Sequence, residues 1–153
     1  MPVAWRVDLD MLANDIGEPH LHQYLQQFLQ DQLELDGSSS AFFYLPDKIY
    51  VYSSTIATFY APSNLCGSGG MCREHMHAVT SWRQGAPWHD CVFIHTDESE
   101  PDMCGLSVAQ AKLFFTATVN HVKYSCALVH WYSLKACSDA NDPRFRCNIV
   151  VVR

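Results

Sequence analysis

Two apolar segments in the last third of the chain constrain its fold more than any other feature. Residues 108–119 and 122–132 are rich in apolar and β-branched side chains, and only Asn120 and His121 separate them. Both of these residues tolerate the backbone of a tight turn. Alternate positions of the first segment share one face: Leu113, Phe115, Ala117 and Val119. The pattern predicts a β-hairpin.

Shorter β-rich runs lie on both sides of this hairpin. The predicted strands cover residues 48–53, 55–60, 74–80, 91–95 and 145–152. Pro62 and the glycines that follow it predict a loop between two of these runs. Roughly six or seven strands with one helix predict a mainly β (α+β) fold, a small antiparallel barrel or curled sheet with one N-terminal amphipathic helix.

The helix is predicted over residues 19–35. Its apolar side chains recur at helical spacing and form one stripe: Leu21, Tyr24, Leu25, Phe28, Leu29 and Leu33. Glu18 and Pro19 suit a first turn, and Asp36 and Gly37 supply a stop. We interpret the stripe as a surface that packs on the helix's own domain, with a partner-binding or oligomerisation helix as the alternative.

The size and composition favour one packed domain with an appended helix. The chain has 153 residues, of which 48% are hydrophobic and 17% charged, and this composition excludes a disordered chain. Three serines at residues 38–40 predict a linker. We therefore expect a helical segment with its linker at residues 1–40 and a β-rich domain at residues 41–153.

The net charge of −6 is unevenly distributed along the chain. Residues 1–72 contain two basic and eight acidic residues, whereas residues 73–153 contain eight of each. Acidity repels polyphosphate, so the net charge weakens the case for direct nucleic-acid binding. The β-rich part of the chain is therefore neutral as a whole.

The first residues show no secretory signal, because acidic side chains stand among the apolar ones without a preceding basic region. No apolar stretch reaches the roughly 18 to 20 residues that a membrane span needs, so we expect no membrane partner. Seven cysteines cannot all pair within one chain, and several lie in predicted strands. These features predict an intracellular protein with reduced thiols.

The many cysteines and histidines raise the hypothesis of a zinc site. Cys72 with His75 and His89 with Cys91 have usable spacings, but neither pair has the turn glycines of a zinc ribbon. We therefore favour no metal and no other cofactor, and regard these residues as core thiols and surface histidines. A zinc-stabilised binding domain that uses Cys72, His75, His89 and Cys91 is the alternative.

No set of catalytic residues emerges from the sequence. Cys91 and Cys126 lie in apolar runs, where burial raises the pKa of a thiol and makes it inert. The glycine-rich loop at residues 67–70 is neither a phosphate-binding loop nor a nucleophile elbow. The acidic loop at residues 97–102 lacks the ligand spacing of an EF-hand. We expect a non-enzyme, with a hydrolase as the less favoured alternative.

Aromatic residues supply the candidate binding site. Trp82, Trp88 and Trp131 with Tyr132 offer surfaces on which a peptide or a nucleic-acid base could stack, although such residues more often belong to a core. The candidate binding residues are Trp82, Arg83, Trp131 and Tyr132.

Several sequence blocks carry a resemblance to a known family. They are residues 57–63, 69–71, 81–83, 90–93 and 126–132, and the last two are the most specific. On these blocks, from the helix to the C-terminus, the chain resembles a family of uncharacterised domains in proteins encoded by DNA transposons of mushroom-forming fungi, associated with KDZ or Plavaka-type transposases. The resemblance implies a non-catalytic interaction module that docks a transposase to DNA, chromatin or its own subunits. It also implies a nuclear location.

The chain departs from the pattern of that family at positions where the family has arginine. Here those positions hold Cys72, His75, His77, Trp88 and Cys104. Single transitions at CG dinucleotides convert arginine codons into codons for Cys, His or Trp. Residues 142–148 also lack the glycine and tryptophan of the corresponding family segment. These departures suggest the hypothesis of a decaying transposon copy.

Overall fold

The computed structural model describes residues 4–35, 44–46, 48–60, 68–100, 102–132 and 147–151. Two α-helices are present, α1 (Leu9–Asp15) and α2 (Leu21–Leu35), with 3₁₀ turns at Ser68–Gly70 and Asp102–Gly105. The strands are β1 (Ala4–Asp8), β2 (Lys48–Tyr52), β3 (Ser54–Tyr60), β4 (Met71–Val79), β5 (Trp88–His89), β6 (Cys91–His95), β7 (Leu106–Val119), β8 (Val122–Trp131) and β9 (Cys147–Val151).

These strands form two antiparallel sheets. The main sheet has six strands in the order β1-β2-β7-β8-β9, and β6 also pairs with β7. The small sheet has the order β3-β4-β5. Within the described part of the chain β1 and β9 remain the two ends of the main sheet, so it does not close into a barrel. The mainly β prediction is confirmed, and of its two forms the structure is the open sheet rather than the barrel.

The predicted hairpin is the centre of the main sheet. Val119 pairs with Val122, and the two residues between them have the positive φ angles of a tight hairpin turn, 50° at Asn120 and 66° at His121. The register shifts between Ala111 and Leu113, which marks a β-bulge. The sequence prediction of this hairpin is confirmed.

The main sheet is covered on one face and on part of the other, which explains why its central strands have apolar side chains on both faces. One face packs against α1 and α2, and the buried residues there include Leu21, Leu25, Phe115 and Leu128. On the opposite face Phe114, Ala127 and Val129 pack with Ala78 of β4. The molecule therefore has a helical layer, the main sheet and, over part of the second face, the small sheet.

The N-terminus holds one strand and one helix that the sequence analysis did not predict. β1 pairs with β2, and the Asp8 carboxylate accepts a hydrogen bond of 3.0 Å from the Asp10 backbone N–H at the start of α1. The predicted helix begins at Leu21, two residues later than expected. Its predicted stop at residues 36–37 and the serine linker lie outside the described residues. In the described part of the chain no helix is long and apolar enough to cross a membrane.

Candidate functional site

The candidate site lies on the outer face of the small sheet. Ala78 of β4 is buried against the main sheet, so alternate residues of this strand, such as His77 and Val79, point away from it. The register of β3 and β5 places further residues on the same side. We call this side the aromatic-basic face; it comprises Ser54, Ile56, Thr58, Tyr60, Met71, Arg73, His75, His77, Val79 and Trp88, and the adjoining loop adds Trp82 and Arg83.

Three rings form the centre of this face. The centroids of Trp82 and Trp88 are 5.0 Å apart with their planes at 76°, an edge-to-face arrangement. The His77 ring contacts both, at 5.3 Å from Trp82 and 4.7 Å from Trp88. Trp88 still exposes 41% of its surface. The cluster is therefore held together by its own contacts and leaves aromatic surface open to a partner.

A tight loop between β4 and β5 places Trp82 over the sheet. The Trp82 backbone N–H donates to the Ala86 carbonyl at 3.1 Å, and the Gly85 N–H donates to the Trp82 carbonyl at 2.8 Å. Arg83 and Gln84 adopt positive φ angles of 50° and 63°, which turn the chain sharply. The guanidinium carbon of the exposed Arg83 lies 5.5 Å from the centroid of the Trp82 ring, within cation–π range.

The Asp90 side chain holds the ring cluster in place through hydrogen bonds. Its carboxylate accepts hydrogen bonds from the Trp88 indole N–H at 2.6 Å and from the His77 backbone N–H at 2.7 Å. Oδ2 of Asp90 also lies 3.2 Å from Nδ1 of the His77 ring. Burial raises the pKa of the Asp90 carboxyl, but these hydrogen bonds outweigh it and lower the pKa below the ordinary value. Asp90 is therefore ionised at neutral pH.

The backbone of Asp90 also ties the two sheets together. Its N–H donates to the His77 carbonyl at 2.9 Å, and its carbonyl accepts from the Ala111 N–H of β7 at 2.9 Å. One residue thus orients the aromatic rings through its side chain and anchors their strand to the main sheet through its main chain. We regard Asp90 as a positioning residue for the face.

The charges of the aromatic-basic face differ from those of the whole chain. Arg73, Arg83 and His75 are exposed there. Among the described residues of the cluster and its face, Asp90 supplies the one carboxylate, and it is held by Trp88 and His77. The face is therefore locally basic although the chain has a net charge of −6.

The structure brings two of the four predicted binding residues together and separates the other two from them. Trp82 and Arg83 stack on each other at the aromatic-basic face. Trp131 is half-buried and packs with the hydrophobic cluster between the sheets. Tyr132 follows it, half-exposed, with its ring centroid 5.9 Å from that of His130. The four residues do not form one surface.

The four residues of the zinc alternative lie on different sides of their strands. Cys72 is buried, whereas His75, three positions along β4, belongs to the opposite, exposed face. His89 pairs with Ala78 and faces inward, where burial and then the charge of Lys112 lower its pKa. Among the residues described here, no three His, Cys, Asp or Glu side chains form a group that could hold a metal ion.

The two cysteines that the sequence analysis considered as nucleophiles have different environments. Cys126 is buried in β8, and desolvation raises the pKa of its thiol to about 12, as the sequence led us to expect in direction. Cys91 was expected to be buried and is exposed. The reason is that β6 is covered on one face only: Val92 and Ile94 pack against the core, whereas Cys91 lies on the opposite, exposed face.

Two of the cavities in the described part of the chain are lined in part by strands of the main sheet. The larger of the two, about 370 Å³, is lined by apolar and polar residues of β1, α1 and the end of β4, and it also reaches Lys112 at the β-bulge. The smaller, about 260 Å³, contains the buried Cys126. Neither has a cysteine–histidine pair among its described lining residues.

Sequence reasoning considered Trp88 as a stacking residue but left it out of the four candidate binding residues, and it missed His77 and Asp90. The signal that could have found Asp90 is an isolated acid directly before an apolar strand, since such a carboxylate needs donors close by.

Comparisons with protein-family models, with curated proteins and with solved structures found no match.

Proposed function

We propose that the chain is a non-catalytic interaction module that binds a macromolecular partner through the aromatic-basic face. The observation that carries the proposal is the exposed Trp82–Trp88–His77 cluster, which Asp90 holds in place with short hydrogen bonds. A binding surface that is ordered before the partner arrives loses less conformational entropy on binding. Exposed tryptophan and arginine side chains are also the residue types that contribute most to binding energy at interfaces.

The surroundings of Cys126, one of the two candidate nucleophiles, favour a binding role over catalysis. Cys126 is a neutral, buried thiol. The His77–Asp90 pair has the form of a base with its orienting acid, but a hydrolase also needs a nucleophile on the imidazole. In the described structure the ring contacts of His77 are with Asp90, Trp82 and Trp88. These contacts fit a structural histidine within a binding surface.

The resemblance to transposon-encoded domains suggests the biological setting of this proposal. In that setting the module docks a transposase to DNA, chromatin or its own subunits, and it acts in the nucleus. Three of the five positions at which the arginine-loss hypothesis applies, His75, His77 and Trp88, belong to the aromatic-basic face. The hypothesis and the geometry therefore concern the same surface.

The test is a binding assay with a defined set of probes and matched surface variants. The probes are mononucleosomes, single-stranded DNA, double-stranded DNA and an acidic peptide, each at low salt. We expect at least one probe to bind the intact chain and Trp88→Ala to weaken that binding at least about ten-fold. Phe93→Ala is the matched control, because Phe93 is an aromatic residue of β6 with 62% of its surface exposed.

Arg83→Gln is a second variant that tests the proposal even if Trp88→Ala impairs folding. Arg83 is exposed, so its replacement leaves the ring cluster in place. We expect it to weaken binding without changing the circular dichroism spectrum or the unfolding midpoint. Equal effects of Trp88→Ala and Phe93→Ala, or no binding of any probe, would show that the aromatic-basic face is not the binding surface.

A further inference from the structure

The aromatic-basic face has exposed rings at both of its ends. Trp88 pairs with Val79 at one end of β4, and Tyr60 pairs with Met71 at the other. These positions are eight residues apart along the strand, so the rings are separated by roughly 26 Å at a strand rise of about 3.3 Å per residue. Tyr60 exposes 67% of its surface. An extended partner could therefore contact both rings at once.

Tyr60 is held in its position by the glycine-rich turn that precedes β4. A Cβ atom on Gly70 would lie 2.7 Å from Cε2 of Tyr60, so the ring packs directly over the glycine backbone. Gly70 also has a φ of 78°, a conformation that favours glycine. The turn at Ser68–Gly70 thus supports one aromatic end of the face, as Asp90 supports the other.

Two arginines and one histidine lie between and beside the two rings. Arg73 and His75 are exposed on β4 between the ends, and Arg83 lies over Trp82 beside Trp88. Thr58 pairs with Arg73 and adds an exposed hydroxyl group. Alternation of aromatic rings with cationic side chains along a groove or sheet is the arrangement with which proteins bind single-stranded nucleic acids.

We infer that the aromatic-basic face binds single-stranded nucleic acid, an inference that rests on the proposed function of this same face. The bases would stack on Trp88 and Tyr60, and the phosphates would contact Arg73 and Arg83. A duplex keeps its base faces stacked inside the helix, where rings on a sheet cannot reach them. An acidic peptide would satisfy the arginines but would offer no planar groups to the exposed rings.

The expected electrostatic contribution is small and measurable. Two phosphate contacts by the arginines predict a slope of about −1.4 in a plot of log affinity against log salt, at about −0.7 for each contact with a single strand. Affinity is highest at low ionic strength because the arginine contacts release counterions, and the acidic residues elsewhere on the chain act in the opposite sense and flatten the slope.

The experiment is a fluorescence anisotropy titration of the full chain with a labelled oligothymidylate of about ten nucleotides, repeated at several salt concentrations. We expect binding with the slope given above, a loss of roughly ten-fold with Trp88→Ala or Tyr60→Ala, and a slope reduced by about 0.7 with Arg73→Gln. Lys123→Gln, at an exposed lysine of β8, is the charge control, and Phe93→Ala is the aromatic control.

A duplex of the same length and an acidic peptide of the same charge are titrated in parallel. Preferential binding of the peptide or the duplex, with loss in Trp88→Ala, would overturn the inference and leave the proposed function in place. Single-strand binding that Lys123→Gln weakens as much as Arg73→Gln would also overturn it. If no probe binds, including mononucleosomes, the proposed function fails together with the inference.

Discussion

The two layers that cover the main sheet differ in what they bury and what they expose. The helical layer buries long aliphatic side chains, with Leu21, Leu25 and Leu29 fully inaccessible. Its exposed surface carries Asp10, Asp15, Asp31 and Glu34, and the sequences of α1 and α2 contain no lysine or arginine. The small sheet buries only small or partly covered residues, such as Ala78 and Met76, and exposes tryptophan and arginine.

Under the proposed function, the layer that contributes most to stability is separate from the layer that binds a partner. Burial of a large aliphatic side chain contributes roughly 1.5 to 3 kcal/mol, so the helical layer supplies more of the folding free energy than the small sheet. The large side chains that the small sheet leaves exposed are available to a partner. The charges differ in the same way, since the two helices carry acidic residues and no lysine or arginine, whereas the aromatic-basic face carries arginine.

The largest effect is expected in the helical layer. Leu25→Ala removes a fully buried side chain that packs in the helix-facing core, so we expect a loss of about 3 kcal/mol in the free energy of unfolding. Chemical denaturation measures it, with Met11→Ala, at a 64% exposed position of α1, as the control. A smaller loss for Leu25→Ala than for Met76→Ala would contradict the assignment of stability to the helical layer.

A second variant tests the support of the small sheet. Asp90→Asn weakens the hydrogen bonds to Trp88 and His77, so we expect a loss of about 1 to 2 kcal/mol in unfolding free energy at neutral pH. The folded-state pKa of Asp90 is lowered, so its ionised form contributes stability above the unfolded pKa, and this stability is lost as pH falls through the folded pKa.

Urea denaturation between about pH 7 and about pH 2 measures this dependence. We expect the stability difference between the wild-type chain and Asp90→Asn to shrink as the pH falls. A difference that stays constant over this range would show that the charge of Asp90 does not stabilise the face.

A third variant sharpens the contrast in charge between the two layers. His75→Arg adds a permanent charge to an exposed position of the aromatic-basic face, so we expect a salt slope steeper by about 0.7 and a several-fold gain in single-strand affinity at low salt. The matched change His20→Arg places the same charge on the exposed surface beside α2. An equal gain in both variants would mean that the gain reflects net charge and not the face.

The smallest effect is expected at the hairpin turn, which belongs to neither layer. His121 has a φ of 66°, a conformation that glycine adopts without steric cost. We expect His121→Gly to raise the free energy of unfolding by about 0.5 kcal/mol and to leave binding unchanged. Thermal unfolding measures the gain, and a destabilised variant would show that the His121 side chain contributes contacts of its own.

Local sequence patterns predicted the elements whose side chains repeat regularly. The hairpin of β7 and β8 and the helix α2 were predicted because their apolar residues recur over ten or more positions. β1 has five residues and depends on pairing with β2, more than forty positions later in the chain, so no local pattern announces it. The same limit applied to Trp82 and Trp131, which look alike in sequence and lie in different environments.

The sequence by itself determined that the chain forms a β-rich, helix-bearing fold, because hydrophobic periodicity is a local property that follows from the geometry of strands and helices. Only the tertiary structure decided which residues share a surface. The register of β3 and β5 against β4 places Tyr60, Arg73, His75 and Trp88 on one face, and the carboxylate of Asp90 joins His77 to Trp88. Such contacts depend on strand register, and a slip of one residue would turn every one of these side chains to the other side.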